Sequence, residues 1–322
     1  MDGKKPIDLV SVVMTNYNRG EFITDQLNSI LRQTYHYWEL IIVDDCSTDG
    51  SQKIIQEFIA SHKDKNIIFV RKDVNVGVAK NFERGLRIAT GKYIAVCDSD
   101  DVWSDDKLEK QIEFIKKNNV GLVYSDLIVV DEKLNIMNKS FRKNYLPFFC
   151  NPKKDVFEEL IKDNHVSAPT IVFDAKYMGK LIPFSAHSMQ DYWIALIFSM
   201  FSTIGYLDEA TVYYRQHNKN VLGIKNYSIL ELLLKRKSIA LTDHIHLKKE
   251  SLLFFKDLIS VDAMKEKYKK KINLKIRKLF LVIESLICLD KEQGLSSKNL
   301  IELLKIKGYR ELMQIFYFYF YA

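Results

Sequence analysis

Four short apolar runs, each separated from the next by a stretch with helical periodicity, constrain the fold of this chain more than any other feature of its sequence. Residues 9–15 (LVSVVMT), 38–44 (WELIIVD), 66–71 and 92–97 (KYIAVC) read as buried strands, because apolar side chains fill them with little polar alternation. Residues 22–33, 51–62 and 79–90 lie between them and carry apolar residues at three- and four-residue steps. Strand–helix alternation of this kind builds βαβ units. The fold expected is therefore α/β: a Rossmann-like, mostly parallel sheet flanked by helices. Residues 46–50 (CSTDG) read as a turn with a helix cap, and Gly91 as the stop of the preceding helix.

The rhythm changes after Asp101. A helix at 107–118 is followed by β-rich stretches at 121–130 and 170–173, a helix at 189–201, and strands at 205–207 and 211–215. Beyond Gly223 the pattern is helical. Ile272, Ile276, Leu279, Ile283 and Leu286 share one face, and Ser296 or Ser297 can cap a helix that stops at Gly308. Charge divides at the same place. The chain carries +7 in all, yet residues 225–322 hold 20 Lys and Arg against 11 Asp and Glu, whereas residues 1–224 hold 28 against 30. The boundary expected lies at 223–226, with an α/β domain over 1–224 and a basic helical module over 225–322. Such a module suits an anionic partner: a lipid surface, a polyphosphate or nucleic acid. A solvated helical face is the plainer reading.

Composition closes off other classes. With 47% hydrophobic residues, 28% charged residues, 12 Gly and 5 Pro, the 322-residue chain reads as globular rather than disordered or collagen-like. No apolar run approaches the roughly 20 residues that span a bilayer, and no signal-peptide core is expected near the first residues. Cys46, Cys97, Cys150 and Cys288 form no C-x-x-C pair. That argues against a zinc site or disulfide framework, and a reducing cytoplasm is the expected location.

Ligands of open α/β sheets bind outside the carboxyl ends of the strands, and two acidic clusters fall there. Asp44-Asp45 closes the second strand and Asp98-Ser99-Asp100-Asp101 the fourth. Carboxylates crowded on one loop repel one another unless a cation neutralises them. Hard oxygen donors favour Mg²⁺ or Mn²⁺, which bind substrate phosphates alongside a carboxylate. The plainer reading makes these residues helix caps, the role expected of Asp105 and Asp106. The loop after the first strand is Thr15-Asn16-Tyr17-Asn18-Arg19 rather than G-x-G-x-x-G, and no G-x-x-x-x-G-K-[ST] occurs, which disfavours a dinucleotide dehydrogenase and a P-loop ATPase. Its hydroxyl, amide and aromatic groups suit a base and ribose, with Tyr17 stacking and Asp45 accepting a base N–H.

VSVVMTNYNR at 10–19, QTYHYWELIIVDDCSTDGS at 33–51, NVGVAKNFERGL at 75–86 and GKYIAVCDSDDVW at 91–103 together resemble the inverting glycosyltransferases of family 2, which have the GT-A fold. The resemblance implies that residues 1–101 bind a nucleotide-diphosphate sugar and residues 102–224 an acceptor. It assigns donor binding to Thr15, Tyr17, Asn18 and Asp45, with Lys80 and Asn81 where the family often reaches the donor. It assigns Asp98, Ser99 and Asp100 to the diphosphate and to Mg²⁺ or Mn²⁺, Asp100 being the direct ligand. HSMQDYW at 187–193 is similar to the family's catalytic-base segment, so Asp191 is the implied base; Gln190 stands where a second acidic residue is common. Read without the resemblance, Asp191 is a helix N-cap. YRQHNKNVLG at 214–223 is similar to a string found in rhamnosyltransferase-like members. It implies Arg215 and His217 on the diphosphate or metal, and Asn220 ordering the loop.

The donor so implied is dTDP-L-rhamnose and the acceptor a glycan or lipid-linked sugar of a surface polysaccharide. A UDP-hexose or UDP-N-acetylhexosamine donor is the alternative. A nucleotidyltransferase would need a basic, glycine-rich loop after the first strand, which is absent. A non-catalytic carbohydrate-binding module is opposed by the retained Asp100 and Asp191. Nucleic acid is not an expected partner. The aromatic run IFYFYFY at 315–321 suits a membrane interface, which would place the chain peripherally at the inner face of the cell membrane. The competing reading packs that run onto its own helices or onto a second subunit of a homodimer.

Overall fold

The computed structural model describes residues 8–145, 155–218, 220 and 241–290, leaving out the side chains of 145, 241–245 and 281–290. The chain divides into two compact units, Met1–Gly223 and Ile224–Ala322.

The first unit is built on one sheet. Its strands are β1 (Val10–Asn16), β2 (Trp38–Asp44), β3 (Ile67–Arg71), β4 (Tyr93–Asp98), β5 (Val102–Trp103), β6 (Leu122–Val130), β7 (Ile136–Asn138), β8 (Ile171–Asp174) and β9 (Ile204–Arg215). Their order is β3-β2-β1-β4-β8-β6-β9-β5, with β7 paired to β6. The long registers are the parallel ones: β1 runs beside β2 from Val10–Trp38 to Asn16–Asp44, beside β4 to Thr15–Asp98, and β6 beside β9. β8 and β5 join by short antiparallel pairings. Every residue of β1 and β2 is buried, as unbroken apolar runs require. The helices are α1 (Ile23–Leu31), α2 (Ser51–Ser61), α3 (Val78–Leu86), α4 (Lys107–Asn118), α5 (Phe141–Tyr145), α6 (Val156–Leu160), α7 (Met178–Leu181) and α8 (Gln190–Phe201). α8 is buried along nearly its whole length, which explains its all-round apolar sequence.

Three sequence expectations change. The third helix ends at Leu86 rather than near 90, so Gly91 is not its stop. Gly91 instead lets two segments meet: a Cβ there would lie 2.6 Å from the Ser11 backbone nitrogen. Residues 205–207 and 211–215 belong to one strand, β9, whose register against β6 slips on either side of Asp126. Asp106 occupies the N-cap of α4 without capping it, since its carboxylate accepts from the Ser104 hydroxyl at 2.9 Å, while Asp105 pairs with Arg32.

In the second unit two helices, Leu241–Ile259 and Glu266–Asp290, pack together through Phe254, Phe255, Leu258, Met264, Tyr268, Ile272 and Leu279. Leu274 and Phe280 remain exposed. The side chains of Ile283 and Leu286, the boundary at 223–226, Ser296, Ser297, Gly308 and the run 315–321 lie outside the described residues. Among the described residues no helix is long and apolar enough to cross a membrane.

Candidate active site

The carboxyl ends of β1, β2 and β4 lie side by side, and their loops are lashed together by side chains. Asn16 donates to Asp44 Oδ2 at 2.7 Å and to the hydroxyls of Ser47 and Ser51. The Asn18 amide donates to Ser47 Oγ at 2.9 Å, and Asn18 Oδ1 accepts from the Thr48 amide at 2.8 Å. Asn18 and Cys46 adopt left-handed φ values of 53° and 69°, an uncommon conformation for residues with a Cβ and one concentrated at functional sites. Within this frame Tyr17 stays 46% exposed, available as a stacking face, while Thr15 and Ser99 are buried.

Asp45 is buried, and its carboxylate accepts from the amides of Val76 and Gly77 at 2.9 and 2.8 Å. It thereby pins the loop entering α3, where Gly77 takes φ 84°. Asn81 departs from expectation. It is 1% exposed and donates to the Val43 carbonyl at 2.7 Å, so it braces β2 rather than reaching into the site. Lys80, one position earlier, is exposed.

The acidic loop after β4 is gripped from two directions. Arg19 Nε donates to Asp100 Oδ2 at 2.7 Å, and His217 Nε2 lies 3.1 Å from the same oxygen. The His217 ring stacks on Phe22 with centroids 4.5 Å apart. Arg215 is buried with its donors directed to protein partners: Nε to the Asp100 carbonyl at 3.0 Å, NH1 to the Glu132 carbonyl at 2.7 Å and NH2 to Asp25 Oδ2 at 2.7 Å. Its own amide donates to Asp101 Oδ1 at 3.0 Å. Arg215 therefore clamps the loop. Asn220 holds the turn, accepting from the His217 amide at 2.6 Å and donating to the Arg215 carbonyl at 3.0 Å.

Ionisation follows from this arrangement. Burial, then the charges of Asp100 and Asp191, push Asp98 up to about 7. Burial also opposes ionisation of Asp100, but the His217 contact and the Arg19 charge outweigh it and hold this carboxyl below its usual value. Asp101, beneath the loop, is pushed well up by burial and by both neighbours.

Asp191 comes from far along the chain, in the first turn of α8 behind the N-cap residue Met189, so it is not the N-cap. Its Oδ1 accepts from the Tyr192 amide at 2.6 Å, and the Ala168 amide and Asn164 side chain also bond it. Burial pushes its carboxyl up to about 6 against these bonds. Its neighbours are anchored: Tyr192 Oη donates to the Leu160 carbonyl at 2.7 Å and Trp193 Nε1 to the Leu181 carbonyl at 2.8 Å.

Two carboxylates and an imidazole, Asp98, Asp100 and His217, make a donor set that suits a divalent cation. Burial, and after it the repulsion of neighbouring carboxylates, disfavours the charge on Asp98, a condition that a cation relieves. No group of three or more His, Cys, Asp or Glu among the described residues is closed up around a metal position. Mg²⁺ does not require one, because it binds through one or two carboxylates with substrate phosphates and water.

The strand-end loops after β1 and β2 and the acidic loop after β4 lie together in the segment that a known family covers. Residues 11–178, over half of the chain, match the model for Glycosyl transferase family 2. The chain is a family 2 glycosyltransferase. This glycosyltransferase is 29% identical over 219 residues (67% of the chain, 82% of the relative) to TuaG of Bacillus subtilis (strain 168), whose name assigns it to teichuronic acid biosynthesis. It is 32% identical over 191 residues (58% of the chain, 68% of the relative) to WfgD of Escherichia coli, named as a UDP-Glc:alpha-D-GlcNAc-diphosphoundecaprenol beta-1,3-glucosyltransferase. Its fold is shared with S. aureus TarS 1-349, solved in complex with UDP-GlcNAc: TM-score 0.57 at 18% identity, covering 92% of this chain and 79% of that one. The glycosyltransferase has the GT-A architecture.

Sequence reasoning placed Arg19 in the right loop without giving it a task, and it missed Phe22, Asp25 and Glu132 as supports. The one available signal was charge: the three carboxylates of the acidic loop need cations, and Arg19 is the cation in the adjoining strand-end loop.

Proposed function

We propose that this enzyme transfers a sugar, with inversion, from a nucleotide-diphosphate donor to a lipid-linked acceptor of a surface polysaccharide. The observation that carries the reading is the convergence of Asp191 on the Asp98–Asp100 loop from an element far away in sequence, close enough for its charge to act on Asp98. Tyr17, Thr15 and Asn18 frame the base and ribose, Asp45 shapes the pocket wall, and Ser99 sits in the diphosphate loop with Lys80 at its margin. Asp98, Asp100 and His217 would hold Mg²⁺ or Mn²⁺, which supplies positive charge beside the diphosphate. Asp191 takes the acceptor hydroxyl proton while that oxygen bonds the anomeric carbon. The bond from that carbon to the diphosphate breaks on the opposite face, and its electron pair leaves with the nucleotide.

WfgD is named for a UDP-Glc donor, which favours a UDP-hexose over dTDP-L-rhamnose for this chain. A nucleotide-release panel of UDP- and dTDP-sugars tests both. UDP release supports the first, and dTDP release alone would restore the second. The diphosphoundecaprenol in the same name supports a lipid-linked acceptor, for which residues 102–224 form the binding half. We assign peripheral membrane contact to the basic second unit, where Lys267, Lys270 and Arg277 are exposed beside Leu274 and Phe280 on one helix. Flotation on anionic vesicles checks this. Loss of a homodimer on truncation at Gly308, with flotation unchanged, would assign the aromatic end to packing.

A further inference from the structure

The turn between β6 and β7 presents apolar side chains to solvent at the rim of the acidic loop. Leu134 is 36%, Ile136 54% and Met137 58% exposed, three large apolar residues within four positions. The turn carrying them is built rather than loose. Asp131 Oδ1 accepts from the amides of Lys133 and Asn135 at 2.9 and 2.8 Å, its Oδ2 accepts from Asn135 Nδ2 at 2.9 Å, and Leu134 takes φ 66°. β7 is an edge strand, pairing with β6 on one side. Proteins usually blunt such edges with charge; here the charge lies beside the apolar tip, on exposed Lys133, Lys139 and Lys143. Of the two acidic residues, Asp131 is consumed by the turn and Glu132 is exposed.

Position gives this tip a meaning. The Glu132 carbonyl accepts from Arg215 NH1, and the same guanidinium holds the Asp100 carbonyl. The Gln216 amide bonds the Val130 carbonyl at 2.8 Å. One arginine therefore separates the hairpin from the acidic loop. A lipid-linked acceptor keeps its reactive sugar near headgroup level, so the rim of a site that uses it must ride on the bilayer surface. A second copy of the chain is the poorer occupant, because a three-residue strand and its turn fall far short of the ~800 Å² per partner of a stable interface.

We infer that the β6–β7 hairpin docks the active-site rim on an anionic lipid surface, Leu134, Ile136 and Met137 entering the interface and the lysines meeting the headgroups. The inference rests on the lipid-linked acceptor reading above. Its test uses the full chain carrying Met137→Trp. The three native tryptophans, Trp38, Trp103 and Trp193, are 8%, 1% and 3% exposed and give a steady background. Vesicles of phosphatidylglycerol and phosphatidylcholine should shift the new emission to the blue, and brominated lipids should quench it. In parallel, Leu134→Ser/Ile136→Ser/Met137→Ser should raise KM for a lipid-linked acceptor in vesicles by roughly tenfold or more, from loss of apolar burial, with donor hydrolysis unchanged. No shift on vesicles would overturn the inference. So would a blue shift that grows with protein concentration without lipid, or an unaltered KM in the triple variant. Absence of donor hydrolysis in the unsubstituted enzyme would instead strike the function reading, and the tryptophan signal is independent of it.

Discussion

Asp191 owes its raised pKa to burial in the first turn of α8, and a carboxyl near 6 is well matched to proton abstraction close to neutrality. As the proposed base it must be ionised, so kcat/KM should fall as pH drops through about 6, and a pH–rate profile checks it. Asp191→Asn should keep donor affinity and lose transfer by about 10² to 10⁴-fold. Collapse of donor binding with a normal chemical step would make it a binding residue. Arg215 works at one remove, through the loop it clamps. Arg215→Ala should destabilise the fold by ~1–3 kcal/mol, the usual worth of charge-assisted bonds to buried carbonyls, and should lower turnover more than Arg215→Lys does. Denaturant midpoints and kinetics separate the two effects. At this scale the sequence showed which residue types stand at the strand ends but not what they bond. Asn81 looked like a donor contact and braces β2, because helix phase alone does not say which face of α3 meets the sheet. The Arg19–Asp100 and Arg215–Asp100 contacts join residues 81 and 115 positions apart, a separation that no local pattern encodes.

The elements were legible where burial is continuous. β1 and β2 are buried throughout and mostly apolar, and α4 and α8 have strong periodicity or near-uniform apolarity. The two-residue β5 and the edge strand β7 were not, since neither is long enough to show a period. The unity of β9 was hidden by Asp208 and Glu209 at its register slip. Packing between elements makes two predictions. Gly91→Ala places a Cβ against Ser11 backbone and should cost ~1–3 kcal/mol by overpacking, read as a lowered Tm. Lys107 of α4 is fully buried, its Nζ donating to Gln111 and lying 4.7 Å from the Trp103 ring centroid, and burial drops its pKa from 10.5 to about 7. Between those values the unfolded chain binds a proton that the folded one does not. Stability of the native enzyme should therefore rise from pH 7 toward 10, measured relative to Lys107→Met. A pH-independent difference between the two would contradict it.

Over the whole molecule, the first unit holds the candidate active site and the second the excess positive charge. The family match ends at residue 178, short of Asp191, Arg215 and His217, so the site draws on residues beyond the segment that identifies it. If basic residues help hold the enzyme at a membrane, flotation on anionic vesicles should weaken with ionic strength, since screening acts within about 8–10 Å at 0.1–0.15 M salt. Flotation indifferent to salt would leave only apolar contacts. The central claim is that the Asp98–Asp100 loop and Asp191 together turn over a nucleotide-diphosphate sugar. The most direct measurement is nucleotide diphosphate release from a panel of UDP- and dTDP-sugars in the presence of a lipid-linked acceptor, comparing the unsubstituted enzyme with Asp191→Asn. The account predicts UDP release by the former, reduced at least 10²-fold in the latter. Release at an equal rate by both, or from no donor in the panel, would contradict it.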